Sequence, residues 1–133
     1  MTLYADSSAL LKRFVREPES EDAGLLLRSD SALVTGRHTL VEVRRNLARL
    51  LQGRQLTAMR AAFTSDVKAF AIVELDAETC ELAATIAEQS GVRTLDALHL
   101  ACARRLGRSV TFLTYDLAQS RAATTLGLRT AGV

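Results

Sequence analysis

Four acidic residues carry the chemistry that this sequence can be read to offer. Asp6 follows the short apolar run Leu3-Tyr4-Ala5, and Asp116 lies just past the run Val110-Thr111-Phe112-Leu113-Thr114. Glu42 falls inside an apolar-striped helical segment, and Asp96 sits in the first turn of a helix opened by Thr94, between Leu95 and Leu98. Each has an ordinary explanation when taken alone. Asp6 and Asp116 suit helix N-caps, Asp96 answers a helix dipole, and Glu42 can pair with Arg45 or Asn46 on a solvated face. Together they imply more, because four carboxylates gathered at one end of a sheet repel one another unless a cation sits among them. With no Cys/His cluster in the sequence pattern, zinc is disfavoured. An all-carboxylate set suits a hard ion, Mg²⁺ or Mn²⁺, whose usual work is to polarise a phosphate and activate water.

The basic residues point to the same substrate class. Arg37, Arg44, Arg45, Arg49, Arg54 and Arg60 fall within one stretch that holds a single acid, Glu42. The rest of the chain is acidic on balance, so a net charge of +2 conceals a local basic strip. Arginine presents a planar two-pronged donor to phosphate, and a basic strip beside a carboxylate cluster fits a polyanion. Aromatics make up only 5% of the chain and tryptophan is absent, which argues against a base-stacking platform.

The elements that must position these residues alternate between short β-prone runs and longer helical patterns. Expected strands are Leu3–Ala5, Ala32–Thr35, Ala71–Leu75 and Val110–Thr114, with a final edge strand at Leu128–Thr130. Expected helices run from Ser7 to about Val15 and from Pro18, placed in the first turn, through Leu27. Others run from about Arg37 to Gln52, with apolar positions at Leu40, Val43, Leu47, Leu50 and Leu51, and from Thr57 to Ala69. Later helices are marked by Leu82, Ile86 and Ala87, by Leu95, Leu98, Cys102 and Leu106, and by Leu117 to Leu126. Strands joined by helices rather than hairpins give an α/β chain, a three-layer α/β/α arrangement around a mostly parallel sheet of about five strands. In such sheets ligands bind beyond the carboxyl ends of the strands, which is where Asp6 and Asp116 fall.

The length of 133 residues fits a single domain spanning 1–133, with no linker to divide it. The N-terminus lacks the basic start of a signal peptide, and no uncharged apolar stretch is long enough to span a bilayer. Cys80 and Cys102 lie in helical patterns among Ala and Leu and read as small buried residues of a reducing, cytoplasmic protein.

Four segments, in this order, resemble the PIN-domain ribonucleases, and specifically the VapC-type toxins of toxin–antitoxin modules. They are Tyr4-Ala5-Asp6-Ser7-Ser8-Ala9-Leu10-Leu11-Lys12, Leu40-Val41-Glu42-Val43-Arg44-Arg45, Thr94-Leu95-Asp96-Ala97-Leu98-His99-Leu100-Ala101 and Leu113-Thr114-Tyr115-Asp116. The resemblance implies that Asp6, Glu42, Asp96 and Asp116 are catalytic and bind Mg²⁺ or Mn²⁺, with Asp6 and Asp96 the principal ligands. It implies that Ser8 and Thr114 support the site and that His99, three residues after Asp96, packs beside it. Arg44, Arg45 and Arg49 are the expected RNA contacts. The implied activity is endoribonucleolytic cleavage, and the implied partners are RNA, a second copy of the chain and a VapB-type antitoxin, with no membrane association.

Two other readings share the layout and fail on residues that can be checked. Haloacid-dehalogenase phosphatases need an acid two residues after the first Asp, where Ser8 stands. Receiver domains need a lysine after a late strand, whereas the lysines here are Lys12 and Lys68. A catalytically degenerate PIN scaffold, the non-enzymatic alternative, would be marked by loss of an acid, and all four are present. The apolar surplus of Leu10, Leu11, Phe14, Val15 and Leu25–Leu27 fits core packing or a partner groove.

Overall fold

Alternation of side chains along each strand gives this chain two cores, one on either face of a single sheet. The computed structural model describes residues 2–29 and 32–133. In chain order the elements are β1 (Thr2–Ala5), α1 (Ser7–Leu11), α2 (Ser20–Arg28), β2 (Leu33–Gly36), α3 (Arg37–Leu50) and α4 (Gly53–Val67). There follow β3 (Ala71–Val73), α5 (Ala77–Ser90), α6 (Thr94–Arg104), β4 (Val110–Thr114), α7 (Leu117–Thr125) and β5 (Arg129–Gly132). The strands form one sheet in the order β3-β2-β1-β4-β5, and every pairing is parallel. The expected three-layer α/β/α class and five-strand count are those observed.

On β1, Leu3 and Ala5 face one way and Tyr4 the other, as the two-residue period of a strand requires. Leu3, Ala5, Leu33 and Leu113 pack against α1–α4, with Leu10, Phe14, Val43, Leu47 and Phe63. Tyr4, Val34, Val110 and Phe112 pack against α5, α6 and α7. Leu10 and Leu11 of α1, Phe14 just beyond it and Leu27 are thus core, while Leu25 is 61% exposed.

The strand order has a direct consequence for function. The chain runs from β1 outward through β2 to β3, then returns to the other side of β1 with β4. The order therefore reverses between β1 and β4, and their carboxyl ends border the crevice where open parallel sheets bind ligands.

Several boundaries differ from the sequence reading for local reasons. The helix expected through Val15 stops at Leu11. The chain continues in three-residue turns, with Lys12, Arg13 and Phe14 donating to the carbonyls of Ala9, Leu10 and Leu11. Pro18 lies in the turn before α2 instead of in its first helical turn. Ser20 makes the junction, accepting from the Glu17 N–H and donating to the Val15 carbonyl. β3 ends at Val73, two residues short of expectation. On α6 the expected apolar stripe holds in part: Cys102 is buried and Leu98 and Leu106 pack partly buried against the core, but Leu95 does not. Leu95 is 47% exposed, and the fully packed face joins Leu100 to Ala97, Ala101, Cys102 and Ala103, small side chains that let the helix approach closely. Cys102 is buried as expected, but Cys80 is exposed, because the inward face of α5 is Thr79, Ala83 and Ile86.

The N-terminus of α5 gives a pH-dependent test of the fold. Asp76 caps it, accepting from the Thr79 N–H at 2.9 Å and hydroxyl at 2.8 Å and from Arg105 at 2.8 Å. These bonds pull its carboxyl down to about 2, from an ordinary 3.8. A depressed carboxyl contributes stability at pH above its unfolded value, and that contribution is lost as pH falls toward the native one. Thermal melts of Asp76→Ala should fall below wild type by a constant margin from neutral pH to about 4, with the gap closing as pH approaches about 2. A gap that persists unchanged at pH 2 would exclude the charge as its source.

Candidate active site

β1 and β4 deliver two acids to the crevice by the same device. Asp6 and Asp116 each follow a strand in extended conformation and each N-cap the next helix, accepting from Ala9 N–H and Gln119 N–H respectively, both at 3.1 Å. In both cases Oδ1 makes the cap bond, so capping and a second role for the carboxylate are compatible. Ser8 ties the two strand ends together. Its hydroxyl donates to Asp6 Oδ1 at 2.6 Å, lies 3.3 Å from Thr114 Oγ1 and accepts from the Tyr115 N–H at 3.0 Å. Thr114 Oγ1 in turn accepts from the Asp116 N–H at 3.1 Å. Ser8 and Thr114 thus fix the backbone that carries both acids.

Asp96 and Glu42 come from helices on the α5–α6 and α3 sides. Gln119 amide nitrogen donates to the Asp96 carbonyl at 3.1 Å, joining the start of α7 to the start of α6. Asp96 and Glu42 face an open cleft of about 700 Å³ with Gly91, Val92, Arg93, Thr94 and Leu95. Arg93 is its nearest cation, at 3.9 Å.

Electrostatics connect Asp96 to the two strand-end acids. Burial raises the Asp6 carboxyl above 3.8 despite the bonds from Ser8, Thr114 and Ala9 and the pull of His99. Burial also raises Asp96, and the charges of Asp116 and Asp6 push it further. Both charges act on Asp96, which places Asp6 and Asp116 on its side of the crevice. Their oxygens nevertheless stand apart: among the described residues, the acids of this quartet do not form a group with ligand atoms within 4.8 Å of one another.

Glu42 has a different environment from the expected pairing with Arg45 or Asn46. His99 Nε2–H donates to Glu42 Oε1 at 2.7 Å, and His99 Nδ1 lies 2.8 Å from the Tyr4 hydroxyl, deep in the sheet. Burial raises Glu42, but the His99 bond and charge, with His38 and the Ser7 hydroxyl, leave it below its ordinary value. His99 is therefore a positioning residue for Glu42 as well as a packing one. His38, one turn before Glu42, was not singled out by sequence reasoning, although its i, i+4 spacing to Glu42 was the available signal.

The arginines divide. Arg37 is held by Glu74 in a two-pronged pair at 2.7 and 2.6 Å. Arg44 and Arg45 are exposed and line a separate groove between α3 and α4 with Leu40, Val41, Arg60, Phe63 and Val67. Arg49 is exposed and donates to Asn46 at 3.4 Å.

An all-parallel sheet with acids at its switch point agrees with comparison to known proteins. Residues 3–124 match the model of the PIN domain, and the chain belongs to that family. Ribonuclease VapC46 of Mycobacterium tuberculosis (strain ATCC 25618 / H37Rv) is 36% identical over 127 residues, 95% of this chain and 93% of the relative. Among solved structures, FitAcB from Neisseria gonorrhoeae superposes with a TM-score of 0.78 at 21% identity, over 97% of this chain and 96% of that one. Mycobacterium tuberculosis VapC20, described as a sarcin-ricin loop cleaving toxin, superposes with a TM-score of 0.77 at 19% identity, over 99% and 98%. The four acidic segments thus sit in a fold shared along nearly the whole chain.

Proposed function

We propose that this chain is a divalent-cation-dependent endoribonuclease acting as the toxin of a type II toxin–antitoxin pair. The observation that carries the reading is that Asp96 feels the charges of both Asp116 and Asp6, the acids that directly follow β4 and β1. Such an arrangement is stabilised by a cation, and its all-oxygen donor set fits Mg²⁺ or Mn²⁺. Asp6 and Asp96 would be the principal ligands, with Glu42 and Asp116 completing the set. When bound, the ion supplies polarisation of the scissile phosphate and an activated water.

The protein's own part is positioning. Ser8 and Thr114 hold Asp6 and the Asp116 backbone, and the Tyr4–His99 pair fixes Glu42 at the cleft. Arg44, Arg45 and Arg49 extend from the same helix as Glu42 and would hold RNA phosphates along the approach. The relatives support RNA as substrate, since one is named a ribonuclease. Solved VapBC complexes of the same fold support a VapB-type antitoxin as partner. A homodimer and action in the cytoplasm belong to the same reading. Among the described residues no helix is long and apolar enough to cross a membrane.

The test is cleavage of total RNA by purified protein with Mg²⁺ or Mn²⁺, beside EDTA and an Asp6→Asn plus Asp96→Asn variant. Discrete fragments should form with wild type and disappear in both controls. Intact RNA from folded, cation-supplied wild type would favour a binding scaffold instead.

A further inference from the structure

The chain contains two histidines, and the fold brings both to one acid. Their ring centroids lie 4.1 Å apart, and ligand atoms of His38, Glu42 and His99 all fall within 4.8 Å of one another. His38 Nε2 stands 4.0 Å and His99 Nε2 2.7 Å from the same oxygen, Glu42 Oε1. Among the described residues this is the group of three that stands at ligand distance, and the acid quartet does not.

His38 has no evident reason to be a histidine in the protein alone. Its side chain is 7% exposed, yet neither ring nitrogen has a hydrogen-bond partner. The Leu95 main chain favours the protonated ring slightly but is not in bonding geometry. Buried polar atoms are nearly always paired, so two orphaned nitrogens beside a carboxylate indicate a missing partner. Nor is the ring loosely placed: a Cβ on Gly36 would come within 2.6 Å of His38 Cε1 and 2.8 Å of Nδ1.

We propose that His38, Glu42 and His99 form a binding site for a borderline divalent cation of the Zn²⁺ type, sharing Glu42 with the carboxylate cluster. Two imidazole nitrogens and one carboxylate oxygen match such ions in softness, whereas Mg²⁺ prefers oxygen alone. Three protein ligands leave a coordination position open, and the cleft beside Glu42 provides the route in. Tetrahedral Zn²⁺ with bonds of about 2.0–2.1 Å places its ligand atoms roughly 3.3 Å apart. The 2.7 Å contact opens slightly and the 4.0 Å one closes slightly to reach that spacing. Binding displaces the proton between His99 Nε2 and Glu42. The ring then carries its proton on Nδ1, where the Tyr4 hydroxyl accepts it, the kind of outer bond that orients ligating histidines.

Because the site holds both histidines of the chain, untagged wild type is a sufficient probe. Imidazole NMR signals of both rings should shift together with one equivalent of Zn²⁺, and by more than Mg²⁺ shifts them through Glu42. Calorimetric titration should show the same Zn²⁺ affinity in the Asp6→Asn plus Asp96→Asn variant, and at least about tenfold weaker binding in His38→Ala and His38→Gln, a loss that even an outer partner of a ligand can cause. Rings that do not move with Zn²⁺, or binding lost in the aspartate variant but kept in the His38 variants, would overturn the site. Resting on the nuclease reading, Zn²⁺ should also inhibit Mg²⁺-supported cleavage by drawing Glu42 away. If no RNA is cleaved under any condition, that reading fails, while the NMR titration still decides the cation site.

Discussion

Asp6→Asn is expected to lower RNA cleavage by roughly a thousandfold or more and, in cation-free buffer at neutral pH, to raise the melting temperature. On the proposed reading, the activity loss follows from removing a principal ligand of an ion whose charge stabilisation is worth several kcal/mol, at one tenfold step per 1.36 kcal/mol. The stability gain follows from the sign of the carboxyl shift. Burial raises Asp6 above its ordinary 3.8, so the native state holds the proton more tightly than the unfolded chain. Stability therefore falls as pH rises from the unfolded value through the native one, and neutral pH carries the whole penalty. Asparagine removes the charge while its Oδ1 can still accept from Ser8 and from the Ala9 N–H, so the α1 cap survives. The excess stability of the variant should vanish in acid below about pH 4, where Asp6 is protonated in both states. Added Mg²⁺ should reverse the order, since an ion at a hundred times its dissociation constant stabilises the wild type by about 2.7 kcal/mol. A variant less stable than wild type without cation, and equally responsive to Mg²⁺, would show that Asp6 serves as a cap alone.

Where the structure places the acids shows which parts of the candidate site could be located from sequence. Asp6 and Asp116 were legible because a parallel sheet fixes where its ligands bind, and an acid directly after a strand lands there whatever the loop details. Their two readings, cap and site residue, turned out to be compatible, since one oxygen of each makes the cap bond. Glu42 was legible by type, but its partner was not. Sequence spacing offers Arg45 and Asn46 on the same helix, whereas His99 lies 57 residues away and reaches Glu42 through the packing of α6. His38 stayed hidden for a related reason: Gly36-Arg37-His38 reads as a helix entry, and only the approach of α6 shows the ring to be enclosed. The face of α6 was legible in part: Leu98, Cys102 and Leu106 do pack against the core, while Leu95 is exposed and alanines beside Leu100 take the close contacts. The helix after Asp6 ran short because the chain at Lys12–Phe14 tightens into three-residue turns that no propensity marks.

Phe112→Ala is expected to cost about 3–5 kcal/mol, a large fraction of the roughly 5–15 kcal/mol that holds a domain of this kind together. Phe112 is fully buried in β4, which pairs with β1 on one side and β5 on the other, so the surrounding main chain is fixed by two ladders and cannot collapse into the space. Its ring stacks on Tyr4 with centroids 5.4 Å apart and planes 12° apart. The melting temperature should drop by about 10–20 °C, given a few degrees per kcal/mol at this chain length. Leu95→Ala, at a half-exposed position beside the cleft, should leave it unchanged within about 0.5 kcal/mol. The loss at Phe112 reaches the site along a specific route. Without that ring Tyr4 loses the surface that holds it flat, and the Tyr4 hydroxyl no longer fixes His99 Nδ1 and, through it, Glu42. At a temperature where the Phe112→Ala protein remains folded, RNA cleavage should therefore fall by more than the unfolded fraction accounts for. Activity that tracks the folded fraction alone would mean that Glu42 is positioned by α3 itself, independently of the Tyr4–His99 pair.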